Sequence, residues 1–360
     1  MKRDLEQVRA LLTAANDPAG DPREGTGSLL TPHAERTLQA LRDSRRPRRV
    51  RPSPGRRQVL LGAGLVTVGA AVAGVGGDLV QGDAGAPAPV AYTPPVLSLH
   101  PVEGKSAQAY LQAFARRVER LEPEPTQGTY QYAKTWGWWL HTAGDVPGGV
   151  ANAAVPTVTE SWVAEDRSGR QRSAYGEPLY PNPEQRKDAQ DAGLVAGTGV
   201  EDRNFGPGGF PAPEGDDWGG VAPFSTDSRV LARQLTEVNW EGGMIVYGVH
   251  DMLTYAGRTG PVDPRLRAAA LRVLADSTDV TVATTTTWNG RPAIAVSQSE
   301  TSEGSRQRET VLFDPETGCP VGAESALFGH ARRLNVSVPA TLTVTETLER
   351  GRVSTTRERP

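Results

Sequence analysis

The chain has 360 residues, a formal charge of −3, 29 prolines, 40 glycines and a single cysteine, Cys319. One cysteine excludes an internal disulfide and a cysteine-based zinc site. The charge is unevenly split: residues 1–57 carry +6 and the remainder −9, and an acidic remainder argues against a nucleic-acid partner.

Residues 1–57 read as a cytoplasmic basic arm. Leu5, Val8, Leu11, Leu12 and Ala15 fall on one face of a short amphipathic helix. Thr31-Pro32 opens a second helix, with threonine as cap and proline in the first position. Two short helices bury little core by themselves. The arm is therefore either a loose tail or a segment that folds on a cytoplasmic regulator.

Val59 to Gly77 has no charge and is long enough to cross a bilayer, which places a transmembrane helix over residues 58–77. Six glycines in this stretch would weaken a soluble helix, whereas a membrane helix tolerates them. Arg42, Arg45, Arg46, Arg48, Arg49, Arg51, Arg56 and Arg57 precede it, so the N-terminus is expected in the cytoplasm and the bulk of the chain outside. These arginines also suit anionic membrane lipid. A rival reading takes Gly55-Arg56-Arg57-Gln58-Val59-Leu60-Leu61 as a twin-arginine export signal, with cleavage after Ala71-Val72-Ala73.

Residues 78–103 form a Pro/Gly/Ala linker. Residues 104–360 are expected to be an exported α+β domain. Ser106 to Leu121 has helical spacing through Ala107, Tyr110, Leu111, Phe114, Val118 and Leu121. Gly128 to Leu140 alternates as a strand and carries Tyr130, Tyr132, Trp136, Trp138 and Trp139. Val155 to Ala164 is a second strand, with Trp162, and Arg170 to Ala174 a third. Trp136, Trp138, Trp139 and Trp162 are either plain core or the wall of a groove for an apolar ligand. Residues 174–223 contain 17 glycines or prolines in 50 positions and read as a mostly disordered loop.

Three helices follow, over Ser225 to Glu237, Gly242 to Ala256 and Pro261 to Asp276. The last has Asp263 as cap and Pro264 in first position. A meander then runs through Val280 to Trp288, Pro292 to Ser299, Arg308 to Asp314, Cys319 to Leu327 and Ala340 to Glu349. Its first hairpin is marked by Asn289-Gly290. The expected fold is α+β: an exported antiparallel, curved sheet of about eight strands packed with four helices. One transmembrane helix and the short helical cytoplasmic arm precede it.

Three segments carry a resemblance. They are the aromatic strand Gly128 to Trp139, the run Glu160-Ser161-Trp162-Val163-Ala164-Glu165-Asp166-Arg167-Ser168-Gly169, and the turn Leu312-Phe313-Asp314-Pro315-Glu316-Thr317-Gly318. With the arm, the arginine flank and the anchor, they resemble an uncharacterised actinobacterial family of single-pass membrane proteins. The outer domain looks like the curved sheet of lipoprotein-carrier and envelope-sensor proteins. The resemblance implies an anti-sigma-like role, although the arm lacks the His and Cys zinc motif of many anti-sigma factors.

There is no G-x-S-x-G and no H-E-x-x-H, and the five histidines have no ligand spacing. The chain is thus expected to be non-enzymatic and cofactor-free. It is expected to be anchored in the cell membrane and to sense an envelope signal. The alternative is an outer-face carrier of an apolar ligand.

Overall fold

A computed structural model describes residues 93–360, except 147–148, 181–182, 195–198, 212–222, 238–243, 303–304 and 331–335. The arm, the hydrophobic stretch with Arg56 and Arg57, and the linker as far as residue 92 lie outside the described residues. Among the described residues no helix is long and apolar enough to cross a membrane.

The domain is α+β, built on one antiparallel sheet of ten strands. These are β1 (His100–Pro101), β2 (Tyr130–Val146), β3 (Gly149–Ala164), β4 (Gly169–Tyr175), β5 (Gly199–Phe205), β6 (Val280–Thr286), β7 (Pro292–Ser302), β8 (Ser305–Phe313), β9 (Pro320–Gly329) and β10 (Ala340–Val353). Their spatial order is β1-β6-β7-β8-β9-β10-β2-β3-β4-β5, so β10 joins the C-terminal meander to the aromatic strands. The described helices are α1 (Ala107–Val118), α2 (Pro183–Asp191), α3 (Ser228–Glu237), α4 (Ile245–Ala256) and α5 (Pro264–Ala275).

Local chemistry explains these elements. Ser106 caps α1 by accepting from the Ala109 N–H, and Asp263 caps α5 by accepting from the Arg265 N–H, with Pro264 in the first turn. Asp227 accepts from the N–H groups of Arg229 and Val230 at the start of α3. The β6–β7 turn closes through Thr287 N–H to the Arg291 carbonyl at 2.8 Å, with Gly290 at φ +81°.

Among the described residues, ten strands and five helices stand where about eight and four were expected. The difference lies mainly at the edges and in segment 174–223, expected to be mostly disordered. That segment carries α2 and β5. Neither has a readable apolar stripe: α2 is Pro-Glu-Gln-Arg-Lys-Asp-Ala-Gln-Asp, and β5 is an exposed edge strand, Gly-Val-Glu-Asp-Arg-Asn-Phe. Each was hidden because hydrophobic periodicity is the main signal for either element. β1, of two residues, is too short to leave any pattern.

The two sheet faces differ. On the helix face, α1, α3, α4 and α5 bury Leu111, Phe114, Leu231, Met252 and Leu274 in one core with Val282, Ile294, Val296, Val311 and Phe313. The opposite face is crossed by segments of irregular chain. Residues 93–99 lay Leu97 and Leu99 on Ala283, Ala293, Ala295 and Leu312. The β6–β7 turn and residues 354–360 cover other parts of this face.

Candidate functional site

β2 sorts its aromatic residues by parity, as a strand must. Trp136 and Trp138 point to the face away from the helices, opposite Glu346 and Val344 of β10 and opposite Val158 and Pro156 of β3. They cluster there with Ala154, Val158 and Val344, and the half-buried Leu140, Leu179, Leu348 and Trp288 pack against them. Trp288 comes from the β6–β7 turn, with its ring 6.1 Å from that of Trp136 at 52°. Trp139 has the other parity. Its ring covers Gly137, where an added Cβ would come within 1.9 Å of it.

Trp162 shares the face of Trp136 and Trp138 but belongs to a separate cluster with Tyr132 and Val353. Its ring lies 5.2 Å from Tyr132, and its indole N–H donates to the Glu358 carbonyl at 2.7 Å. Of the four tryptophans expected to form a wall, the structure therefore brings together Trp136 and Trp138. It adds Trp288, which pattern reading of β2 and β3 has no means of reaching.

The indole N–H groups of Trp136, Trp138 and Trp288 are buried and have no acceptor among the described residues. A buried donor without an acceptor costs about 1–3 kcal/mol. Three in one cluster is a concentrated deficit, since nearly all buried polar groups find partners.

Three buried glutamates fasten the covering segments to this face. Glu324 on β9 accepts from the Leu97 N–H at 2.7 Å and from Arg308 at 2.8 Å. Glu346 on β10 accepts from the Asn289 N–H and from Arg291, both at 3.2 Å, which ties down the turn carrying Trp288. Glu160 on β3 accepts from the Tyr132 hydroxyl at 2.8 Å, from Arg172 at 3.2 Å and from Arg359 at 2.6 Å. Burial works to raise the Glu160 carboxyl, but the hydrogen bonds from Arg359 and Tyr132 prevail and hold it below the usual range. Glu324 goes the other way: burial raises it despite the Leu97 N–H and Arg308. The signal for Glu160 was legible, since it stands two residues from Trp162 and must share its face.

Trp288 belongs to two clusters at once. It packs against the tryptophan cluster and also against the cluster Ala283, Ala293, Ala295 and Leu312, on which Leu97 and Leu99 separately lie.

A second titratable group lies on the helix face. Glu309 of β8 accepts from Gln307 Nε2 and Ser325 Oγ, both at 2.7 Å, and feels Glu324 as a further charge. Burial pushes its carboxyl up to about 7. Tyr247 of α4 is raised chiefly by burial and then by the charges of Asp251 and Glu309. His250 of α4 is pushed down to about 4 by burial. His250 and Asp251 are adjacent on a helix and do not share a face. Cys319 contacts Arg267 and Glu124. Among the described residues, no group of three or more His, Cys, Asp or Glu side chains is placed to hold a metal ion.

The arrangement is suited to binding: apolar rings, unmet donors and a pinned cover. Comparison with protein-family models, with curated proteins and with solved structures finds no match.

Proposed function

We propose that the chain is a non-enzymatic, membrane-anchored extracytoplasmic sensor. In this reading the outer domain binds an apolar ligand on its tryptophan face. Residues 1–57 pass the signal to a cytoplasmic regulator, in the manner of an anti-sigma protein. The observation that carries the ligand half is the cluster of Trp136, Trp138 and Trp288, with three buried indole donors and no acceptor among the described residues. Register shifts in β10, β2 and β9 favour a curved sheet, because bulges bend strands. The anchored half rests on Arg56, Arg57 and the uncharged run Val59 to Gly77, with membrane lipid as the surrounding partner.

The test is mass spectrometry on full-length protein extracted from its native membrane in mild detergent. An apolar compound should co-purify, and its amount should fall in Trp138→Ala. Protein that carries no such compound and takes up no apolar fluorescent probe would overturn the reading. The same cluster supports a carrier exported by a twin-arginine-like signal. The N-terminus of the mature protein separates the two: Met1 or Lys2 retained favours the sensor, and a start near Gly74 favours the carrier.

A further inference from the structure

Three features of the tryptophan cluster bear on what kind of apolar molecule it takes. First, its unmet groups are all donors. An indole offers one N–H and no acceptor, so a ligand that satisfies Trp136, Trp138 and Trp288 must bring lone pairs. A pure hydrocarbon would leave the deficit in place. Second, the neighbouring carboxylate is already engaged. Glu346, directly opposite Trp136, is fully buried and holds the Asn289 N–H and Arg291. An anionic ligand head would be set beside this buried charge, whose partner Arg291 is already engaged, and burying an unpaired charge is far more costly than burying a neutral oxygen. Third, the rings are 93 % and 98 % buried at Trp136 and Trp138, so any hydrogen bond they make forms out of water.

We infer that the cluster recognises neutral carbonyl oxygens on an apolar molecule, with the indole N–H groups of Trp136 and Trp138 as the donors that set specificity. This deepens the proposed ligand reading and rests on it. The molecule enters when the β6–β7 turn, held on Glu346 through Asn289 and Arg291, lifts and carries Trp288 with it. Two sources share this chemistry: the ester of a long-chain fatty acid, and a membrane quinone with an isoprenoid tail.

The experiment uses the full chain in nanodiscs and four probes: methyl oleate, an isoprenoid quinone, 1-octadecene and sodium oleate. Affinity is read by the probe's effect on tryptophan emission or, for the quinone, its quenching. Each hydrogen bond gained should strengthen binding about 3–10-fold. The ester or the quinone should therefore bind at least tenfold tighter than octadecene and also tighter than oleate, and whichever wins identifies the source. Trp138→Phe keeps an aromatic ring and removes the N–H. It should erase most of the carbonyl advantage while octadecene binding persists. Should that variant fail to fold, the indole ¹H–¹⁵N signals of the unaltered protein give an independent reading: those of Trp136 and Trp138 should move downfield with the carbonyl probes and stay put with octadecene. Equal affinity for ester, quinone and octadecene, or tighter binding of oleate, would overturn this inference and leave the apolar site standing. Binding of none of the four would remove the apolar site itself.

Discussion

Glu309 offers the sharpest energetic test, because its perturbation has a definite sign. Its carboxyl is moved from 4.5 to about 7 by burial beneath α4, against the pull of hydrogen bonds from Ser325 and Gln307. The folded protein thus prefers the protonated form, whereas the unfolded chain titrates near 4.5. Below pH 4.5 both states hold the proton and Glu309 costs nothing. Between pH 4.5 and 7 the unfolded state gains by ionising and stability falls, and above pH 7 the loss is complete. The full shift corresponds to at most ~3 kcal/mol. Glu309 keeps some contact with solvent, so about 1–2 kcal/mol is the expected size. Glu309→Gln preserves shape and an acceptor for Ser325 while removing the charge. The variant should match the parent at pH 4.5 and exceed it at pH 8, by roughly 2–8 °C in Tm. Thermal unfolding of both proteins in detergent, followed by circular dichroism from pH 4.5 to 8, reads this directly. Taking the difference between the two removes the opposing contribution of His250, whose depressed folded value of about 4 withdraws stability as pH falls below 6.5. A difference that does not change with pH, or a glutamine variant less stable at pH 8, would refute the account.

Other consequences are open to the same assays. Gly137→Ala sets a Cβ into the ring of Trp139 and should cost about 1–3 kcal/mol; in a double-mutant cycle Trp139→Ala should recover most of that, and strict additivity would deny the contact. Arg359→Ala removes two of the hydrogen bonds to the buried Glu160 carboxylate, so a loss of about 1–3 kcal/mol is expected, together with faster amide exchange over residues 354–360. Unchanged exchange there would show that Arg359 does not hold the segment down. Asp263→Ala removes the α5 cap and should lower stability by about 1 kcal/mol. Leu274→Ala, in the last turn of the same helix and fully buried, should lower it by roughly 2–5 kcal/mol. If the two substitutions cost the same, the helix is not held chiefly by its buried face.

The contrast between α5 and α2 explains what could be read from the chain. α5 announces itself through Asp263, Pro264 and a stripe of Leu266, Ala270, Val273 and Leu274, all buried as spacing requires. The Asn289-Gly290 hairpin is equally plain, because its turn geometry demands residues that few other contexts favour. α2 and β5 depend on position rather than pattern. β5 is held by backbone pairing to β4, and Arg170 reaches across to Asp202. Backbone pairing leaves no trace in side-chain hydrophobicity.

The site was half legible for the same reason. Parity on β2 fixes that Trp136 and Trp138 share a face and that Trp139 does not. It does not reveal that β10, some two hundred residues later, lies between β9 and β2 and brings Glu346 opposite Trp136. Nor does it reveal that a hairpin turn folds back to add Trp288. Both facts are tertiary, and both decide the chemistry. Without Trp288 the cluster would be two rings on a strand, for which plain core is the better account. With it, the rings sit under a turn fastened to a buried glutamate, and Trp288 of that turn packs on the same buried cluster, Ala283, Ala293, Ala295 and Leu312, that Leu97 and Leu99 cover.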